Sequence, residues 1–550
     1  MSLQATLFYV IPEETVRVAK AAFPKGNLLM RIRDELGPIY DNPTFAPLFP
    51  SRGQPAEAPA RLALVTSMQC VENLSDRQAA DAVRDRLART YALALELTDP
   101  GFDASVLSEF RARLIAGGAE TVVLDTMLTL LRNEGLLKAR STQRTDSPIV
   151  LAAVRALNRL ECVHETLRHA LNDLARWHPA WLQSWVPAAW FERYSRRAEE
   201  QRFPKSKAAR QAMAETIGAD GFRLLAAVRM PTAPPDAHDL SALQILHQVW
   251  LQNYHASADG VARWRSADEV PPSALMIRSP YDVDARFSLK RETQWVGYKV
   301  HLTEVCDPEA PALITHVETT PGTTHDGQMT APIHAALAEK QLLPGDHLVD
   351  SSYVDATLLV ESQQHYGIDL VGPVPEERSW QAKAGEGFAK RCFAIDWDRQ
   401  TVTCPAGATS VKWQESVGRP EEPVIHVAFA RATCGTCAHR AACTRAKEAP
   451  RELTFRSRPE HEVLLHARTR QHTQSFKDAY GQRAGVEGTI SQGVRVADLR
   501  HARYIGLAKT RLQPIATAGA LNRIRLFAWF AERPREARRI AAFAALSPAG

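Results

Sequence analysis

The chain has 550 residues, of which 45% are apolar, and a net charge of +5. That is the make-up of a globular protein of three or four domains with a sizeable core, and so mild a charge is by itself weak evidence for nucleic acid. No apolar stretch is long enough to span a bilayer and no basic start leads into an apolar run, so the chain is expected in the cytoplasm with its eight cysteines reduced.

Residues 1–135 read as mainly helical. The run "LSDRQAADAVRDRLARTYALALEL" opens on Ser75 and Asp76 as caps, and "DASVLSEFRARLIAGG" is bounded by Asp103 or Ser105 and by Gly117 and Gly118. Short helices with arginine faces suit a small DNA-binding module and suit a plain bundle equally. After the polar "KARSTQRTDSPIV", a helix-like pattern runs from Leu151 through Trp177 and on to about 265, with a Pro-rich loop at 231–239. From "ALMIRSP" the period changes. "WVGYKVHLTEV" alternates as a strand, "ALITHVETT" is a second, and "THDGQMTAPIHAALAEKQLL" is a helix with Asp326 as its cap. "DHLVDSSY" and "GIDLVGPV" are short buried strands. Strand, strand, helix, strand, helix, strand implies an α/β sheet.

Cys404 lies in "VTCPAG", and Cys434, Cys437 and Cys443 lie in "CGTCAHRAACTR". A C-x2-C pair can bite one tetrahedral zinc, and two more thiolates would complete the site, with His439 as a substitute ligand. The other reading is four free thiols packed as small hydrophobes. Cys70, Cys162, Cys306 and Cys392 read as structural.

Near the C-terminus the charge becomes local. From Arg468 to Arg525 there are eleven Lys/Arg and three acids, Asp478, Glu487 and Asp498. Glu487 stands alone in "YGQRAGVEGTISQGVR". A surface ion pair with Arg483 at i−4 would explain it at a few tenths of a kcal/mol. Asp350 ends the apolar "DHLVD", where open α/β sheets bind ligands, although an Asp there also serves as a helix cap. Asp146 in "QRTDSP" is a further strand-end acid, with Asp282 and Asp284 in "SPYDVDARF" as its competitors.

The combination resembles the DDE transposases of bacterial insertion sequences, whose catalytic domain is RNase H-like. "RTDSPIVLAAVRALNRL" is similar to the family's first catalytic strand, with Pro148 where Thr is usual. "HLVDSSYVDA" is similar to its second-Asp motif through Asp350 and Tyr353, with departures at Val349 and Ser352. "YGQRAGVEG" carries the Tyr-x2-Arg-x3-Glu pattern on Tyr480, Arg483 and Glu487, while Val494 stands where the family has Lys, beside Arg495.

The resemblance implies a layout: a helical DNA-binding region at 1–135, the first catalytic strand and helix at 136–165, a helical insertion at 166–270, the RNase H-like mixed sheet flanked by helices at 271–385, a Cys-rich insertion at 386–455, and the catalytic helix with basic helices at 456–550. It favours Asp146 over Asp282 as the first acid. Asp146, Asp350 and Glu487 would hold Mg²⁺ (or Mn²⁺), and the cysteines a structural Zn²⁺. Tyr480, Arg483, Arg495, Arg500, Arg503, Lys509 and Arg511 would contact DNA. Trp295 and Trp380 are expected in the core rather than stacked on a base. The implied activity is metal-dependent cleavage at terminal inverted repeats and strand transfer to target DNA, by a homodimer. The rivals are a transposase-derived DNA-binding protein without catalysis and a nuclease that does not transpose.

Overall fold

The computed structural model describes residues 2–3, 10–256, 262–290, 292–418 and 422–532. Helices from Glu13–Ala22 to Val122–Asn133 fill the N-terminal region. Ser75 caps Asp76–Asp85 through a reciprocal capping box with Gln78. The single helix predicted there is two, because Arg86 is extended and Leu87–Ala92 restarts after it. These helices share one core with the sheet: Leu62, Phe110, Leu114 and Leu128 belong to the same apolar cluster as Tyr298, Val300 and Leu302. The long helix Leu507–Phe530 packs on Pro59–Val71, Val122–Asn133 and the strand Ile314–Pro321. Its Asn522 side chain bonds both backbone polar groups of Ile314, at 2.8 and 2.9 Å, which satisfies the end of an edge strand.

The central strand is Gln143–Asp146. It pairs antiparallel with Thr293–Val305 on one side and parallel with Asp346–Leu348 on the other. Ile314–Pro321 and Asp369–Val371 extend the sheet outward from these two neighbours. The connection is antiparallel where a short turn suffices and parallel where a helix crosses over. Ile149–Leu151 continues the central strand in unchanged register, Asp146 facing Leu302 and Ile149 facing Lys299. The break falls at Pro148, which has no N–H for the ladder, although its carbonyl still accepts from Val300 N at 3.1 Å. At Gly297 the neighbouring strand comes so close that a Cβ would lie 2.1 Å from the Val150 carbonyl oxygen.

Two further cores hang from this frame. Leu160, Val163, Leu167 and Leu174 of helix Arg159–Trp177 pack with Trp190, Leu224, Leu246 and Trp250. The apolar face of this helix is therefore buried with the helices that follow it, on both sides of the boundary expected at 165/166. The insertion's core also reaches past 270, to Ile277. The Cys-rich segment is a small three-stranded antiparallel sheet, Lys412–Val417, Pro423–Ala428 and Glu452–Arg456, closed by Phe393, Val402, Phe429 and Phe455.

Candidate active site

Gln143 and Arg144 lie beside His347 and Leu348 in parallel register. Two residues further on stand Asp146, the last residue of its strand, and Asp350, two past the end of its own, so the two acids emerge side by side. Each commits one oxygen locally. Asp146 Oδ1 accepts from Ser147 N at 2.7 Å, and Asp350 Oδ1 accepts from Ser352 N at 2.7 Å as the cap of the turn Ser351–Tyr353. The cap role and the site role of Asp350 thus fall on different oxygens. The second oxygens meet Arg483, whose Nη2 is 2.7 Å from Asp146 Oδ2 and 4.0 Å from Asp350 Oδ2. Arg483 Nη1 is 3.9 Å from Glu487 Oε1. Three carboxylates converge on one guanidinium, whose Nε is buried without a partner.

Burial raises the Asp146 carboxyl above the ordinary range, Arg483 and the Ser147 amide oppose this, and the nearby Asp350 and Glu487 add to the rise. Glu487 sits at the rim, its side chain 65% exposed. The segment carrying it is not the continuous helix its spacing suggests. Gln474–Gly481 is α-helical, Gln482–Gly485 tightens to a 3₁₀ turn, and Val486–Ala497 is α-helical again. That turn directs Arg483 inward and leaves Glu487 in the first turn of the next helix. Tyr480 faces Phe476 with stacked rings 5.4 Å apart, and burial raises its hydroxyl pKa.

A buried clamp fixes this segment to the sheet, and nothing in the linear pattern of acids announced it. Glu304 on the long strand is fully buried. Its Oε1 receives Arg144 Nε at 2.7 Å, and its Oε2 receives Arg525 Nη1 at 2.7 Å and Thr489 Oγ1 at 2.5 Å. Arg144 also donates to the Gln482 carbonyl. One carboxylate so joins the central strand, the Glu487 helix and the long C-terminal helix. A charged residue inside the buried run "VHLTEV" was the available signal.

Asp326 is not the helix cap expected of it. The His325 ring takes that role, and Asp326 is buried, 2.9 Å from Lys299 Nζ and 3.1 Å from Ser352 Oγ. Ser352 Oγ in turn donates to Asp350. Burial would raise the Asp326 carboxyl, but Lys299 holds it below the usual range. Asp282 and Asp284, the competitors of Asp146, are spent elsewhere. Asp282 accepts from Tyr298 Oη at 2.6 Å and Ala285 N at 3.1 Å, and Asp284 accepts from Leu507 N at 2.9 Å.

Residues 403–527 match the family model described as Transposase DDE domain, and residues 17–113 match the one described as Transposase domain (DUF772). Both matches support a DDE transposase of insertion sequences. No curated protein matches it. The mixed sheet is accordingly an RNase H-like core; Glu487 falls inside the first match, and Asp146 and Asp350 fall outside both.

DDE transposases as a family work with divalent metal ions. The donor chemistry suits a hard cation: the cluster offers oxygen ligands only, from three carboxylates grouped around Arg483. As the side chains stand, no three His, Cys, Asp or Glu among the described residues are close enough to grip one ion. At the acid cluster the reason is visible, since Arg483 lies between the carboxylates.

The seven residues expected on DNA divide. Arg495, Arg500 and Lys509 are exposed. Arg503 donates to the Leu74 carbonyl and Arg511 pairs with Glu318, so both are tied into the fold. Tyr480 and Arg483 are held at the acids as described. Trp295 is buried, and Trp380 lies under the Arg445 guanidinium at 4.5 Å. Cys404, Cys434, Cys437, Cys443 and His439 line one cavity of about 340 Å³. Burial raises the Cys443 thiol, Arg451 opposes it, and the sulfurs of Cys434, Cys404 and Cys437 add to the rise. Of the cysteines taken as structural, Cys70, Cys162 and Cys306 are buried, while Cys392 is exposed, at the end of a short 3₁₀ turn. No helix among the described residues is long and apolar enough to cross a membrane.

Proposed function

We propose that this transposase binds the terminal inverted repeats of its element, cleaves the DNA there and joins the freed 3′ ends to target DNA. The observation that carries the reading is the meeting of Asp146, Asp350 and Glu487 at Arg483. Asp146 and Asp350 would hold Mg²⁺ or Mn²⁺ between the strand ends, with Glu487 closing the site from the rim. Ions held there supply activation of a water or a 3′-hydroxyl and relief of charge on the leaving oxygen.

The chain's own residues do the rest. Arg483, displaced from the acids, is within reach of a phosphate in the same place and suits it by its planar fork of donors. Ser352 and Asp326 orient Asp350, and the Glu304 clamp holds the Glu487 helix against the sheet. Exposed Arg495, Arg500 and Lys509 are available to flanking phosphates. Bringing two element ends together calls for at least a dimer. The four cavity-lining cysteines would close on one structural zinc, which suits soft thiolate donors.

The test is incubation with Mg²⁺ and a duplex carrying the element's ends, scored for cleaved and joined products. Asp146→Ala, Asp350→Ala and Glu487→Ala should each abolish chemistry, by at least about 1000-fold, and leave end binding nearly intact. Cleavage without joining would make the protein a nuclease, and binding without either would make it a DNA-binding protein. Activity lost in Asp282→Ala but kept in Asp146→Ala would move the first acid.

A further inference from the structure

The helical insertion carries charge that the acid cluster does not use. Between Arg193 and Arg210 there are seven Lys/Arg and two acids. Arg193 is bound to Asp220 at 2.9 Å and Arg197 faces Glu199 at 3.5 Å. The other five, Arg196, Arg202, Lys205, Lys207 and Arg210, are exposed, and their side chains have no ion-pair partner among the described residues. Nothing in the fold gains from them. Lys207 and Arg210 lie in the first turn of the helix Lys207–Ala227, which has no acid in that turn, so they face its positive end and cost stability rather than add it.

This patch borders an open polar cleft of about 570 Å³ between the insertion and the catalytic core. Arg155, Arg168, Arg176 and Arg197 line it together with Glu165, Asp173 and Glu199, and each of these arginines has a carboxylate within 2.6 to 3.5 Å. The cleft is continuous with the acid cluster along the chain. The strand that carries Asp146 runs on through Ile149–Leu151 and leaves by Val154 and Arg155, which form the cleft wall. At Leu151 that strand exchanges backbone hydrogen bonds with Arg500 O at 2.7 Å and Ala502 N at 2.8 Å, which fixes exposed Arg500 beside the exit. Exposed cations without an acid partner among the described residues thus stand both beside the exit of the Asp146 strand, at Arg500, and on the insertion, at 196–210.

We infer that the insertion is a second DNA-contacting surface, in which the unpaired cations at 196–210 hold the sugar-phosphate backbone of double-stranded DNA flanking the cleavage point. The inference rests on the DNA reading above. It concerns backbone contacts only, so it needs no knowledge of the element's sequence.

The test is fluorescence anisotropy of a labelled duplex of about 40 base pairs and arbitrary sequence, titrated at several salt concentrations between about 50 and 200 mM. Arg202→Ala/Lys205→Ala/Lys207→Ala should bind at least about 10-fold more weakly at about 100 mM salt. Its plot of log affinity against log salt should be shallower by about 2 to 3. The control is Lys383→Ala/Lys412→Ala/Lys447→Ala, which removes the same charge from exposed positions outside the insertion. A slope unchanged in the insertion variant overturns the inference, and so does an equal change in both variants, which would mean net charge alone. Wild-type protein that binds no duplex overturns the DNA reading and this inference together. Wild type that binds while the insertion variant is unaffected overturns the inference alone. Unchanged thermal melting of the variants excludes loss of fold as the cause.

Discussion

Arg483 occupies the position where three carboxylates would otherwise repel one another. Its contact with Asp146 is 2.7 Å, and both side chains are less than one-sixth exposed. Removing one partner of such a pair leaves an uncompensated charge, which costs roughly 3 kcal/mol. Arg483→Ala is expected to lose about that much stability in metal-free buffer and to regain part of it when millimolar Mg²⁺ is added, because a cation that binds the folded state stabilises it by mass action. Wild type, with its own counter-ion in place, should gain less. Urea unfolding of both proteins with and without Mg²⁺ decides this; an Arg483→Ala protein as stable as wild type in both buffers would show that the guanidinium is not compensating the acids.

At the scale of elements, two connections determine the geometry. Glu304 ties the central strand to two helices through Arg144, Thr489 and Arg525. Glu304→Gln keeps the shape but removes the buried charge facing two half-buried guanidinium groups, so a loss of about 3 kcal/mol is expected. If the clamp serves only the fold, DNA cleavage per folded molecule stays at the wild-type rate; if it positions Glu487, that rate falls as well. The Cys-rich sheet is the second case. Freshly purified, reduced protein should carry one zinc per chain, and Cys437→Ala should lose it together with part of the stability of that sheet. Absence of zinc from wild type by elemental analysis would leave the four thiols as packing groups around their cavity.

At the scale of the whole molecule, the sheet is built over a net of neutral histidines. His334 Nε2 lies 2.8 Å from His347 Nδ1, His347 Nε2 lies 2.7 Å from Thr145 Oγ1, and His301 Nδ1 lies 2.6 Å from Tyr353 Oη. Burial lowers His301 and His334 to about 4 and pushes His347 well below its ordinary value. The folded pKa values are depressed, so below the unfolded value of about 6.5 the unfolded chain takes up protons that the native state refuses. The stability these groups contribute is complete above about pH 6.5 and is lost as pH falls towards 4. For His301 and His334 the loss by pH 5 is about 2 kcal/mol each. Urea unfolding midpoints between about pH 7 and 5 should fall accordingly, and less steeply in His334→Gln; a flat profile in wild type would show that these histidines are protonated in the fold.

Local chemistry determined much of this molecule. Alternation gave the long strand at 293–305 and the Ser75 cap gave one helix start, because each depends on neighbours a few residues away, whereas the helix Ser105–Ala116 starts without a side-chain cap and the Tyr-x2-Arg-x3-Glu spacing was legible only through its family resemblance. The remainder depends on groups far apart in the chain, so no local period encodes it. The strand register put Asp146 beside Asp350, while hydrogen bonds to Tyr298 and Leu507 engaged Asp282 and Asp284. Arg503 and Arg511 look like Arg500 and Lys509 in a basic run, yet their fold partners are Leu74 and Glu318. Helix Arg159–Trp177 follows a core strand in sequence but buries its apolar face in the insertion, since an amphipathic helix joins whichever surface covers it. The sequence by itself determined which residues are acidic, basic or strand-forming and the spacing that brings Arg483 near Glu487. Only the tertiary structure decided which acids share a counter-ion and which arginines remain free, because ion pairing and burial are settled by distance in space.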